Sequence, residues 1–194
     1  LPTAGRRVAG VHALRQLPSL GADTDRAEAA GIRGLNGLLP ADIACSLVQK
    51  VHSDFQARHA TKEKMYRYRI LNRQQRCPFR GHQTWHICGT LNVEAMRQAG
   101  ALMVGTHDFS AFQARGCSAA HTIRTLRDFQ VDQTQDEVHL EWIGNGFLRH
   151  QVRIMTGTLV AIGRGQKSVQ VMQGLLDSGD RSSAGQTAPP QGLW

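Results

Sequence analysis

The clearest periodic pattern in the chain lies between Phe147 and Ile162. Apolar residues recur there at steps of four, three, four and three, which is the spacing of one buried face of a helix. The residues of this stripe are Leu148, Val152, Met155, Leu159 and Ile162. We therefore predict a helix that ends at Gly163, with Arg149 and Arg153 one turn apart beside the stripe.

Alternation of apolar and polar residues predicts strands in three other segments. The first begins at Glu63 and places Tyr66 and Tyr68 on the same face, as the period of two in a strand requires. The segments Thr122 to Val131 and Glu137 to Ile143 also alternate. We expect these two to form an antiparallel pair joined by the short turn between them.

Two shorter helices complete the predicted elements of the second half of the chain. One has Asn92 as its N-cap and runs to Gly105, whose position suits a left-handed C-cap. The other begins at Ser168 and extends through Leu175. Strands followed by helices without strict alternation predict an α+β fold, with the helices on one face of an antiparallel sheet.

The pattern is weakest at the two ends. Residues 5–34 are rich in Gly and Ala and are only weakly helical over Asp23 to Ala30. The tail from Asp177 to Gly192 is loop-like. We therefore predict loops in both segments, apart from the weak helix over Asp23 to Ala30.

The composition is that of a folded protein in a reducing compartment. The hydrophobic fraction of 41% and the charged fraction of 20% are ordinary for globular chains. No apolar run reaches the roughly 18 residues of a membrane span, and the first residues lack an apolar signal core. The 4 cysteines are widely spaced without a C-x-x-C pair, so reduced thiols are the simpler interpretation. We expect a cytoplasmic protein without membrane contact.

The charge of the chain indicates a polyanionic partner. Lys and Arg number 23 against 15 Asp and Glu, which gives a net charge of +8, and the pI is near 10.0. Such a field attracts nucleic acid at long range, and arginine can both pair with phosphate and stack on a base. The alternative is a basic protein that binds nothing specific.

Several segments together resemble the tRNA pseudouridine synthases of the TruA type, in the same order along the chain. These segments are residues 5–13 (GRRVAGVHA), 38–43 (LLPADI), 54–60 (DFQARHA), 66–70 (YRYRI), 107–112 (HDFSAF), 116–117 (GC), 123–126 (IRTL), 145–153 (NGFLRHQVR), 180–185 (DRSSAG) and 192–193 (GL). The resemblance implies an isomerase that converts uridine to pseudouridine in the anticodon stem-loop of tRNA. It implies neither a metal nor an organic cofactor, and it implies pairing with a second copy as a homodimer.

The resemblance also implies roles for individual residues. Tyr66 matches the tyrosine that stacks on the target base, and Arg153 matches the arginine that pairs with a catalytic aspartate. Arg6 matches an arginine that contacts RNA and assists flipping of the uridine. From the pattern alone, Tyr66 is an ordinary half-buried strand aromatic and Arg153 belongs to a solvated helix face. His12 is expected to hydrogen-bond only its own turn.

Three further residues match loops that touch tRNA in this family. They are Arg58 and His59 in one segment and Arg115 in another. Arginine side chains in such loops are natural phosphate ligands. A generic basic surface would have the same composition.

The chain departs from the family pattern at the most important position. Val8 stands where the resemblance places the nucleophilic aspartate. Valine has no lone pair and no charge, so it cannot form and release the covalent adduct that the reaction needs. We therefore expect impaired or absent catalysis, and an Arg153 whose charge has lost its partner.

The resemblance predicts two ferredoxin-like halves. The first, residues 1–80, is expected to be incomplete and to carry the altered catalytic loop and the Tyr66 strand. The second, residues 81–194, carries Arg153. Alternatives to an active enzyme are a gene fragment or frame error, a degenerate paralogue, a non-catalytic RNA-binding pseudoenzyme, and a basic structural protein. The sequence leaves the targeted uridines open.

Overall fold

The computed structural model describes residue 3, residues 9–21 and residues 24–194, with the side chains of all of these except residues 24–30 and 58. The chain divides into two compact units. The described part of the first is residue 3, residues 15–21 and residues 24–61, and that of the second is residues 9–14 and Lys62–Trp194. The predicted boundary near residue 80 stays a prediction.

The first unit contains two helices, α1 (Thr24–Leu38) and α2 (Ala57–Ala60). The weak helical signal that ends at Ala30 is confirmed, and α1 continues beyond it with a kink at Gly31, where φ is 54°. Only glycine adopts this positive φ at little cost. The side chain of Asn36 is hydrogen-bonded to both backbone groups of Cys45, and this fixes the chain after α1 against the helix.

The second unit is an α+β fold built on one five-stranded sheet. Its strands are β1 (Lys64–Asn72), β2 (Trp85–Ile87), β3 (Gly105–Asp108), β4 (Ile123–Gln133) and β5 (Glu137–Gly144). Their order is β2-β1-β5-β4-β3, with β1 and β2 parallel and the other neighbours antiparallel. The three strands predicted from alternation, β1, β4 and β5, are confirmed. The two that alternation does not predict, β2 and β3, are too short to show it.

Helix α3 (Val93–Ala101) begins as predicted and ends earlier than predicted. The side chain of Asn92 accepts the backbone N–H of Ala95 at 3.0 Å, as an N-cap does. The prediction that Gly105 closes this helix is wrong. Gly105 has a φ of 117° and is the first residue of β3, because the chain leaves α3 in a tight turn and reverses into the sheet.

Helix α4 (Gln151–Gly163) carries four residues of the predicted apolar stripe, and Leu148 lies in the loop before it. All five stripe residues are buried. The helix begins four residues later than predicted, because His150 has a φ of 59° and interrupts the helical backbone. Arg149 therefore lies in the loop before α4 and not one helical turn from Arg153. The last predicted helix is present as α5 (Val171–Ser178), which begins three residues after the predicted Ser168.

The core lies between one face of the sheet and the helices. Tyr68, Leu140 and Trp142 on this face are completely buried, together with Met96 of α3 and Met155 of α4. The opposite face carries cross-strand ion pairs. These pairs are Arg67 with Glu141 and Arg69 with Glu137. His139, two residues along β5 from Glu137, contacts the same carboxylate at 2.8 Å. The two faces thus separate apolar packing from charge, as alternation along β1 and β5 predicts.

The C-terminal segment crosses α4 and then pairs with β1. At the crossing, a Cβ on Gly157 would lie 1.8 Å from the carbonyl oxygen of Gln186, so the two backbones touch. Beyond it, Arg67 and Trp194 exchange backbone hydrogen bonds of 3.0 and 2.8 Å. The backbone N–H of His12 extends this arrangement by donating to the carbonyl oxygen of Leu193 at 2.9 Å.

Candidate functional site

Tyr66 lies on the helix-facing side of β1, opposite Trp142 on β5. It is half-buried, and its ring meets that of Phe147 edge to face, with centroids 5.0 Å apart and an interplanar angle of 80°. This is a favourable aromatic geometry that limits motion of both rings. Burial raises the pKa of the Tyr66 phenol, which therefore stays protonated at neutral pH.

Arg153 lies in the first turn of α4 and is anchored to the C-terminal segment. Its Nε donates to the carbonyl oxygen of Ala188 at 2.7 Å, and the N–H of Ala188 donates to the carbonyl oxygen of Arg153 at 3.0 Å. Burial lowers the pKa of the guanidinium, and the neighbouring Tyr68 phenol acts in the opposite direction. Among the described side chains, which are those of residues 9–21, 31–57 and 59–194, no carboxylate forms an ion pair with Arg153.

Tyr68 connects these two side chains. It is two residues from Tyr66 on the same face of β1, a distance of about 7 Å along the strand. Its hydroxyl donates to the carbonyl oxygen of Pro189 at 2.6 Å, next to Ala188. Burial raises its pKa and the charge of Arg153 opposes that rise. The fold therefore brings Tyr66 and Arg153 to one side of the sheet.

The described end of the predicted catalytic loop, residues 9–13, is held against the C-terminal segment. Arg6 and Val8 themselves lie outside the described residues. The ring of His12 stacks on Trp194 with centroids 4.3 Å apart, and its Nε2 hydrogen-bonds the carbonyl oxygen of His82 at 2.7 Å. The expectation that His12 bonds only its own turn is wrong, because its partners lie 70 or more residues away.

Arg115 is exposed in a loop that a second arginine fixes. The guanidinium of Arg149 donates to the carbonyl oxygens of Arg115 and Gly116, at 3.0 and 3.2 Å. Beside this loop is an open cleft of about 640 Å³, whose wall includes Arg115, Arg181 and Ser182. Arginine side chains and hydroxyl groups around such a cleft suit an anion.

Arg58 and His59 lie on α2 of the first unit. His59 is exposed, and the side chain of Arg58 is outside the described part of the chain. Their predicted contact with RNA stays a prediction. Among the residues that the structure describes, no group of three or more His, Cys, Asp or Glu is placed to hold a metal ion. In the same part of the chain, no helix has the length and hydropathy of a membrane span.

The site geometry can be compared with known proteins. A family model described as tRNA pseudouridine synthase matches residues 99–194, which include the Arg115 loop and Arg153. The tRNA pseudouridine synthase A of Myxococcus xanthus is 44% identical over 192 residues, which cover 98% of this chain and 72% of that protein. The chain belongs to the tRNA pseudouridine synthase family.

Two further relatives of this tRNA pseudouridine synthase family member are also named tRNA pseudouridine synthase A. The protein of Thermoanaerobacter sp. (strain X514) is 41% identical over 191 residues, covering 98% of this chain and 78% of the relative. The protein of Geotalea daltonii is 42% identical over 193 residues, which cover 100% of this chain and 79% of the relative. The similarity thus includes β1 with Tyr66 as well as α4 with Arg153.

Sequence reasoning misses three residues around the site of this family member. The apolar periodicity assigns Phe147 to a helix, yet it lies in a loop and supports the Tyr66 ring. The same periodicity places Arg149 on a helix face, yet it fixes the Arg115 loop. Trp194 has no role in the sequence pattern. Its indole N–H donates to the carbonyl oxygen of Gln83 at 3.2 Å, so it links the loop before β2 to His12. No periodic signal marks such contacts.

Proposed function

We propose that this tRNA pseudouridine synthase family member binds the anticodon stem-loop of tRNA and receives a flipped uridine between Tyr66 and Arg153. In its active relatives this binding leads to isomerisation of uridine to pseudouridine, and in this chain Val8 prevents most or all of the chemistry. The observation that carries the proposal is the placement of Tyr66 and Arg153 on one side of the sheet, each held by independent contacts.

Tyr66 suits a stacking role because its ring is already ordered. Flipping a uridine out of its stack costs a few kcal/mol. A ring fixed against Phe147 offsets part of that cost without losing its own rotamer freedom on binding. A protonated phenol also keeps negative charge away from the uracil ring.

Arg153 suits the stabilisation of a negative charge in the same pocket. Its Nε donates to the carbonyl oxygen of Ala188, and this hydrogen bond orients the remaining N–H groups of the guanidinium. An aspartate at position 8 would supply both the nucleophile and a partner for this cation. With valine at that position, a half-buried cation that has no carboxylate partner among the described side chains remains available for an RNA phosphate or for water.

The tRNA backbone would be held by arginines outside this pocket. Arg115 projects from a loop that Arg149 fixes, beside a cleft large enough for a phosphate and its ribose. Arg6, Arg58 and His59 are the further candidates that the family resemblance provides. Each phosphate contact should contribute to the salt dependence of tRNA binding.

Restoring the carboxylate tests the proposal directly. Tritium release from tRNA labelled at C5 of uridine measures turnover, and a titration with the same tRNA measures affinity. We expect the chain with Val8 to bind tRNA with little or no tritium release. The Val8→Asp variant should gain turnover by several orders of magnitude, since a covalent nucleophile lowers the barrier by many kcal/mol.

Val8→Asn is the matched control, because asparagine has the size of aspartate without its carboxylate. It should bind tRNA and release no more tritium than the starting chain. Equal release by the starting chain and the Val8→Asp variant, at a rate typical of an active enzyme, would show that the carboxylate is unnecessary and would refute the proposal. Firm tRNA binding without any release from either protein would favour the alternative of a non-catalytic RNA-binding protein.

A further inference from the structure

Phe79 is an exposed aromatic residue for which the folded chain provides no packing partner in the described part of the structure. Its side chain is 91% exposed in the loop between β1 and β2. Single exposed apolar residues are common on protein surfaces. The position of Phe79 is unusual in two further respects, the rigidity of its loop and the charge around it.

The loop holds Phe79 in a defined position. Phe79 and Pro78 are the central residues of a turn that the N–H of Arg80 closes on the carbonyl oxygen of Cys77 at 3.2 Å. Proline at this position of a turn restricts the backbone before any ligand binds. Gln83 and Thr84 then donate their N–H groups to the carbonyl oxygen of Arg80 at 2.9 and 3.0 Å.

Ion pairs attach the same loop to the end of the sheet. Arg80 pairs with Asp136 at 3.3 Å and with Glu137 at 3.1 Å, and Arg73 pairs with Asp136 at 3.2 Å. Glu137 is buried and lies opposite Leu71 of β1. The tip of the loop therefore has little freedom to fold Phe79 back onto the protein.

The surroundings of Phe79 favour a polyanion. Residues 73–84 include three arginines and no acidic residue. Arg73 and Arg80 are engaged by Asp136 and Glu137, whereas Arg76 is exposed. A cleft of about 400 Å³ opens on this loop, with Arg76, Pro78 and His86 in its wall. An exposed aromatic residue on a restrained turn, three residues from an exposed arginine, provides the two groups by which proteins bind single-stranded nucleic acid.

This surface is distinct from the uridine pocket. Arg80 is attached at the level of Leu71, five residues along β1 from Tyr66, and five residues of a strand span about 17 Å. One nucleotide cannot reach both positions. A ligand that uses both must extend along the surface of the second unit, as a folded RNA does.

We propose that Phe79 is a stacking platform for an unpaired base of tRNA, outside the uridine pocket, with Arg76 contacting the adjacent phosphate. This rests on the proposed function that the chain binds tRNA. The contact would position the RNA on the surface without taking part in the chemistry at position 8.

Affinity for tRNA at one fixed salt concentration tests the stacking. Phe79→Ala and Phe79→Leu should each raise the Kd about 5- to 100-fold, because both remove the aromatic face. Phe79→Tyr should leave the Kd within about twofold of the starting value, because it keeps that face. Arg76→Gln should lower the slope of log K against log salt by about one.

The matched control is Leu47→Ala, which truncates an apolar side chain that is 72% exposed between α1 and α2. It should leave the Kd unchanged. Photocrosslinking from benzoylphenylalanine introduced at position 79 supplies a direct measurement, and a covalent adduct with tRNA is the expected result. Every variant is first compared with the starting chain by its thermal midpoint, which an exposed side chain should not move.

Four results would overturn the proposal. An unchanged Kd for Phe79→Ala in a chain that binds tRNA would overturn it alone and leave the proposed function intact. Wild-type affinity of Phe79→Leu would exclude stacking. A Phe79→Ala variant with altered self-association and unaltered tRNA affinity would assign this surface to a second protein chain. Failure of the starting chain to bind tRNA would overturn both proposals together.

Discussion

Gly157→Ala tests whether the C-terminal segment is what holds Arg153 in place. Gly157 is on the buried side of α4, where the segment crosses it. A Cβ at this position would lie 1.8 Å from the carbonyl oxygen of Gln186, which is a backbone atom and cannot rotate away. Ordinary contacts of carbon with a carbonyl oxygen are about 3.3–3.6 Å, so the segment would have to move by about 1.5 Å.

The size of the effect follows from the contacts at this crossing. Displacing packed backbone costs about 1–3 kcal/mol. The same movement strains the hydrogen bonds of Ala188 with Arg153, and that of Gly185 with the hydroxyl of Thr158. Each bond lost adds about 0.5–1.5 kcal/mol. We therefore expect the free energy of unfolding to fall by about 2–5 kcal/mol.

Tryptophan fluorescence during thermal and urea unfolding measures this change in the relevant part of the chain. Trp85, Trp142 and Trp194 are all in the second unit. A loss of that size should lower the thermal midpoint by about 5–15 °C. The matched control is Gly174→Ala on α5, where a Cβ meets nothing within 4 Å. It should stabilise the protein by about 0.5–1 kcal/mol, because alanine is the better helix former.

The pair of variants separates steric contact from any general effect of alanine. If Gly157→Ala unfolds at the midpoint of the starting chain, the segment does not cross α4 at backbone contact. The account of how Arg153 is oriented would then be wrong. Equal destabilisation by both variants would point to a helix effect and would also contradict the reasoning.

Two further substitutions test the contacts around the sheet. Hydrogen bonds from His139 and Arg69 outweigh burial and lower the pKa of Glu137, so its stabilisation is present above its unfolded-state pKa and is lost as the pH falls through the folded-state pKa. Glu137→Gln should therefore lower the free energy of unfolding at pH 7 by about 1–3 kcal/mol. It should also make that free energy depend less on pH below about pH 4.5. Urea unfolding at a series of pH values measures both effects. If the free energy of unfolding of the variant falls with acid as steeply as that of the starting chain, this reasoning is wrong. Tyr68→Phe removes the donor to the carbonyl oxygen of Pro189 at 2.6 Å and should cost about 1–2 kcal/mol in the same assay. No loss would show that water replaces the hydroxyl.

The elements that the sequence predicts correctly are those with a long periodic signal. The eleven-residue β4 and the thirteen-residue α4 each repeat their pattern enough times to be recognised. The ends of the helices are harder to predict, because a left-handed residue such as His150 leaves no trace in hydrophobic spacing. The short β2 and β3 depend on pairing with longer neighbours, and only the folded sheet supplies those neighbours.

The sequence by itself determined the family, the strand that carries Tyr66 and the helix that carries Arg153, because ordered motifs and periodicity are local properties of a chain. Only the tertiary structure decided that Tyr66 and Arg153, 87 residues apart, lie on one side of a sheet. It also decided that Phe147, Ala188 and Trp194 support the site. Those contacts join residues that are far apart along the chain, and backbone crossings and strand pairing bring them together. No local pattern in the sequence encodes such contacts.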